Sequence, residues 1–314
     1  MSAGVAPGGS SDPRPPAVAG LFYPGGAGAL RAMVDELAAR APVAFPAPAD
    51  LDLGRLLGVL VPHAGLVYSG LVAAAAWRHL AAGVAGPPRP PVPPASRPTI
   101  VLLGTNHGAA WLRGVGAWDR GPWRTPLGEV AIHRDLTDAI VALGPPFEPD
   151  AACHLGEHSL EVQLPFVSRL AGGSPIVALS VGCGTGGRAI DAGERLGRLL
   201  AERRAAGARI VLGISSDMAH YPSAIVAEAV TDALRPSIVR MDPEALAIAE
   251  AEVIRREAGV SCGMCGIEPA VLGLAALRAM GTRAGRVLAA ATSADAGGDP
   301  RRTVGYLAVG FEAP

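Results

Sequence analysis

Continuous apolar runs alternate along this chain with stretches whose apolar positions recur at helical spacing. Runs of strand length fall at Leu56–Val61, Thr99–Leu103, Pro175–Val181, Arg209–Ile214, Val287–Ala291 and Val304–Phe311. A strand in the middle of a parallel sheet is covered on both faces and needs this continuous pattern. Between the runs, Leu30, Met33, Val34 and Leu37 share one face of a segment over Ala29–Arg40. Leu160, Leu164, Val167 and Leu170 do the same in a helix predicted to open at Glu157, with Ser159 as its cap. Further helices are predicted over Gly70–Ala82 behind a Ser69 cap, from Asp135 to Gly144, and over Arg188–Ala206, Asp242–Ala258 and Gly266–Met280. Strands alternating with helices predict one α/β domain over residues 16–314, three-layer α/β/α around a mostly parallel or mixed sheet.

The joints are equally readable. Residues 1–15, rich in Gly, Ser and Pro, read as a disordered tail, and the proline-rich Gly86–Pro98 as a surface loop. Trp118–Val130 reads as a loop that Pro122 and Pro126 keep out of helix. The 314 residues are half hydrophobic, enough for a large core. A formal net charge of −1 gives no reason to expect nucleic acid or an anionic membrane as partner. The tail has no apolar core of a signal peptide, and the most apolar window, Gly65–Leu80, is broken by Tyr68, Ser69, Gly70, Arg78 and His79. Four scattered cysteines do not make a secreted disulfide framework, so a cytoplasmic protein is expected.

The candidate chemistry sits where strands end. Leu56–Val61 runs into Pro62-His63-Ala64-Gly65, Thr99–Leu103 into Gly104-Thr105-Asn106-His107, and Arg209–Ile214 into Ser215-Ser216-Asp217-Met218-Ala219-His220. One strand-end histidine is most often structural, but three delivered to one sheet edge point to a shared site, because open α/β sheets bind ligands there. Cys262 and Cys265 form a C-x-x-C pair that reads as a redox dithiol, half a zinc site, or a thiolate donor beside the imidazoles. On the last reading His63, His107 and Cys262 form a set able to hold Fe(II), Cu or Zn with positions left open. His220, following Asp217, has the arrangement of a base held by a carboxylate. His158 and Glu161 are one helical turn apart, facing the same cleft or forming an exposed polar turn. Trp118, Trp123 and Arg124 read as a recognition group for a peptide or protein partner.

These segments resemble the Memo family, whose bacterial and archaeal members include the AmmeMemoRadiSam system protein B. The resemblance rests on Ala19-Gly20-x-Phe22-Tyr23-Pro24, Pro62-His63-Ala64-Gly65, Gly104-x-Asn106-His107, Trp123 to Gly128, Glu157-His158-Ser159-x-Glu161 to Pro165, Ser215-Ser216-Asp217-x-x-His220 and Cys262-Gly263, in that order. It implies a fold similar to class III extradiol (LigB-like) dioxygenases, in which two histidines and a glutamate hold non-haem iron. It places His63, His107 and Cys262 as metal ligands, with cysteine in the place of the glutamate, and His220 beside Asp217 as the acid/base. Bound iron or copper, a redox activity, and partners of AMMECR type and radical SAM type are implied in the same way. The thiolate shifts preference toward Cu(I) or a differently tuned iron, so catechol ring cleavage is not inherited with the fold.

Overall fold

The computed structural model describes residues 11–48, 51, 55–82 and 97–313. The first ten residues of the expected tail and residues 86–96 of the proline-rich loop lie outside them. Four parallel strands make the centre: β1 (Leu56–Val61), β2 (Thr99–Thr105), β7 (Ile176–Val181) and β8 (Ile210–Ser215). One side is extended by the antiparallel β10 (Gly305–Glu312) and β9 (Gly285–Thr292), the other by β3 (Val115–Ala117) and β6 (Phe147–Pro149). The eight strands run β6-β3-β7-β2-β8-β1-β10-β9, a mixed and mostly parallel sheet. Every residue of β1, β2 and β7 is buried, which is the structural meaning of their uninterrupted apolar runs.

Helices cover both faces. α1 (Ala27–Ala44), α2 (Leu66–Ala82) and α4 (Leu164–Arg169) pack on one, around Leu30, Val34, Trp77 and Phe166. α3 (Arg134–Val141), α5 (Gly187–Ala205), α6 (Ala224–Val239), α7 (Pro243–Arg256) and α8 (Ile267–Ala279) cover the other. The result is the expected three-layer α/β/α arrangement. α5 lies so close to α8 that a Cβ on Gly193 would sit 2.2 Å from the Leu272 carbonyl, and one on Gly197 equally close to that of Ala276. Asp242 caps α7 by accepting from the Ala245 N–H at 2.8 Å. No helix among the described residues is long and apolar enough to cross a membrane.

Local expectations fail where side chains do other work. Ser159 caps no helix: its hydroxyl donates to the Thr105 carbonyl, and a 3₁₀ turn at Glu161–Gln163 leads into α4. Ser69 lies inside α2 and bonds back to the Ala64 carbonyl. The supposed loop over Trp118–Val130 contains a hairpin, β4 (Trp123–Thr125) with β5 (Gly128–Val130). The helix α6 was not anticipated: Val230, Leu234 and Ile238 give it a buried apolar stripe, but Thr231 and Ser237 share that face and Pro236 stands in its last turn. Ahead of residue 16 the chain is already fixed, since Arg14 bridges the Pro122 carbonyl and the Arg124 N–H and is buried.

Candidate metal centre

β8 is inserted between β1 and β2, so the three histidine-bearing strands are neighbours and all end at one edge. Past β1, the backbone N–H groups of His63 and Ala64 donate to Asp217 Oδ1 at 2.7 and 3.1 Å. The His63 ring is buried, with Nδ1 3.0 Å from Ser215 Oγ. Ser215 gives its single hydroxyl proton to the Ser159 carbonyl and also accepts from Gln163 Nε2 at 3.0 Å. The only role left for His63 Nδ1 is donor, which puts the lone pair on Nε2. Burial lowers the pKa of this ring to about 4, against the opposing pull of Asp217, so it is a neutral ligand at physiological pH.

His107 is oriented in the same way by a carboxylate. Glu157 Oε1 lies 2.9 Å from His107 Nδ1, and Oε2 accepts the His107 N–H at 2.7 Å. Oε1 also takes the N–H groups of His158 and Ser159. Burial pushes the Glu157 carboxyl up, but His107 and these backbone donors together hold it well below the usual carboxylate range. An ionised Glu157 at Nδ1 leaves Nε2 of His107 free as well, the arrangement that fixes metal-binding imidazoles. His158 stacks on His107 with centroids 4.5 Å apart, and burial lowers its pKa too. His63 stands edge-on to both.

The sulfur at this pair is that of Cys265, not Cys262. Cys265 Sγ is 3.2 Å from His63 Nε2, and one ligand atom each from His63, His107 and Cys265 lie within 4.8 Å of one another. A bridge between Met218 and Met264, with the Cys265 N–H on the Asp217 carbonyl, sets this register. Cys262, three residues earlier, falls outside the cluster, where Gly263 is tied to Glu250. Burial pushes the Cys265 thiol well up, so an adjacent cation is what would favour its thiolate. Both cysteines are free thiols.

Asp217 and His220 meet at the same place, His220 Nε2 standing 3.6 Å from Asp217 Oδ2 with no hydrogen-bond partner among the described residues. Burial raises the Asp217 pKa, but His63, His220 and the His63 backbone outweigh it and keep the carboxylate ionised. Asp217, His220 and Cys265 form a second set with ligand atoms in mutual reach.

His158 and Glu161 do not share a cleft. Glu161 points away into a buried knot, pairing with Arg14 at 2.6 Å and accepting from Tyr23 Oη and the N–H groups of Ala17 and Val18. Arg14 also donates to the carbonyls of His154 and Glu157, fixing the segment that presents Glu157. Trp123 is fully buried beneath the Arg14 guanidinium, 4.1 Å from its ring centroid, and Trp118 is buried beside it. Neither indole can meet a partner; Arg124 is exposed and paired with Glu129. Sequence reasoning passed over Glu157, Ser215, Gln163 and Arg14. Glu157 was signalled by standing inside a polar motif next to His158, whereas nothing marked an arginine in a proline-rich stretch.

The fold and site define a three-layer α/β protein with a His–His–Cys cluster at the carboxyl edge of its parallel strands. The chain belongs to the Memo-like protein family, whose model matches residues 14–310. It is 34% identical over 304 residues to a MEMO1 family protein of Thermotoga maritima, covering 94% of this chain and 98% of that one. The MEMO1 family protein of Aquifex aeolicus is 33% identical over 302 residues, covering 95% and 98%. That of Methanocaldococcus jannaschii is 31% identical over 299 residues, covering 93% and 96%.

Proposed function

We propose that this protein is a metal-dependent oxidoreductase whose Fe(II) or Cu is held by His63, His107 and Cys265. The reading is carried by the way both imidazoles are wired: each Nδ1 is engaged by an acceptor, Ser215 or Glu157, leaving each Nε2 unprotonated beside one half-buried thiol. Metal-binding imidazoles almost always have the other ring nitrogen held in this way, and here two so held converge on one thiol. Two imidazoles and a thiolate suit iron, copper or zinc, and three protein donors leave positions for a small ligand. When bound, iron or copper would supply one-electron redox chemistry and polarise a ligand in those positions.

The chain's own residues supply the rest. His220 holds or moves a proton at Nε2, and Asp217 orients it while anchoring the turn that carries His63. Metal content after anaerobic loading with Fe(II) or Cu(I) tests the assignment. Near-stoichiometric metal is expected in the parent and in Cys262→Ser, with most of it lost in Cys265→Ser. Undiminished metal in Cys265→Ser defeats the proposal.

A further inference from the structure

At the opposite end of the central strands lies a cavity of about 610 Å³. Its charged lining converges from separate parts of the chain: Arg97 just ahead of β2, Arg203 in the last turn of α5, Arg209 just ahead of β8, and His133 and Asp135 at the start of α3. Gly207, at φ +97°, turns the chain from α5 toward β8, a conformation that side chains disfavour. The Gly207 and Ala208 N–H groups return to the Arg204 and Arg203 carbonyls and close this turn. The fold-back brings Arg203 and Arg209 to the same cavity. Three guanidinium groups and one carboxylate line it, Arg97 also reaching the Gly173 carbonyl, and the start of α3 adds the positive end of its helix dipole.

We propose that this cavity binds a phosphorylated small molecule, its phosphoryl oxygens taken by Arg97, Arg203 and Arg209. Arginine's planar fork matches phosphate with paired, charge-assisted hydrogen bonds, and cavities of this size hold ligands on the scale of a sugar phosphate or a mononucleotide. Thr99 lines the cavity and Thr105 ends the same strand at the metal centre, a separation of roughly 20 Å at the rise of a β-strand. The cavity therefore shares no lining residue with the His63, His107 and Cys265 cluster.

Calorimetric titration of the full, metal-free chain with inorganic pyrophosphate tests the site. Saturable binding at a single site is expected. Arg203→Ala and Arg209→Ala should each weaken it about tenfold or more, and Arg203→Lys should recover only part of the loss. Both arginines are exposed, so thermal melting of the free variants should match the parent. The proposal is overturned if millimolar pyrophosphate gives no saturable heat, or if folded alanine variants bind as tightly as the parent.

Discussion

A single hydroxyl decides the state of His63. Ser215 is the acceptor that keeps the proton on Nδ1, and Gln163 fills its remaining lone pair while holding Trp77 with its own carbonyl oxygen. Ser215→Ala frees the ring to rotate or change tautomer, and is expected to weaken metal binding by about 10- to 100-fold, the usual effect of losing such a support. Titration with a competing chelator measures it. Buried imidazoles also set the acid limit of the fold. His63 and His154 ionise near 6.5 when unfolded but are lowered to about 4 by burial when folded. The unfolded chain therefore carries the extra protons in that interval, so stability that is complete above about 6.5 drains away as pH falls toward about 4. Melting temperature against pH should show that slope, and His154→Gln should make it shallower. At this scale the histidines were legible, because each follows an apolar strand. The choice of sulfur was not, because two cysteines in C-x-x-C differ only in register, which the distant bridge from Met264 to Met218 supplies.

Among the elements, two joints govern the site. The segment ending at Arg14 carries a charge into the interior, where it neutralises Glu161 and ties down the Glu157 backbone. Arg14→Ala would leave Glu161 buried and uncompensated, costing about 3–5 kcal/mol by the usual penalty for a broken buried pair. Denaturant unfolding checks that value, and weaker metal retention should accompany it because Glu157 orients His107. The second joint is α5 on α8. Gly193→Ala would force the helices apart, at about 1–3 kcal/mol in the same assay, because the carbonyl it meets is backbone and cannot rotate away. The long strands and most helices could be read from periodicity alone. The β4–β5 hairpin and the turn before α4 could not, since short segments are shaped by their long-range partners: Arg14 for the first, Thr105 for the second.

For the whole molecule, metal binding and folding should be linked. His63 follows β1, His107 follows β2, and Asp217, which holds the His63 loop, follows β8, so the unfolded chain cannot offer the same cluster. Saturating metal should raise the melting temperature of the parent, and Cys265→Ser should blunt the rise. The layer architecture was legible because alternating strands and helices admit few arrangements; the order of the strands was not, since periodicity says nothing about which neighbours pair. That order carries a consequence for synthesis on the ribosome. β8 leaves the tunnel after β1 and β2 but must slot between them, so a nascent chain ending before Ile210 displays two apolar strands with open edges. Fragments that stop there should precipitate when expressed, and the full-length chain will be most vulnerable to aggregation in the interval before β8 emerges.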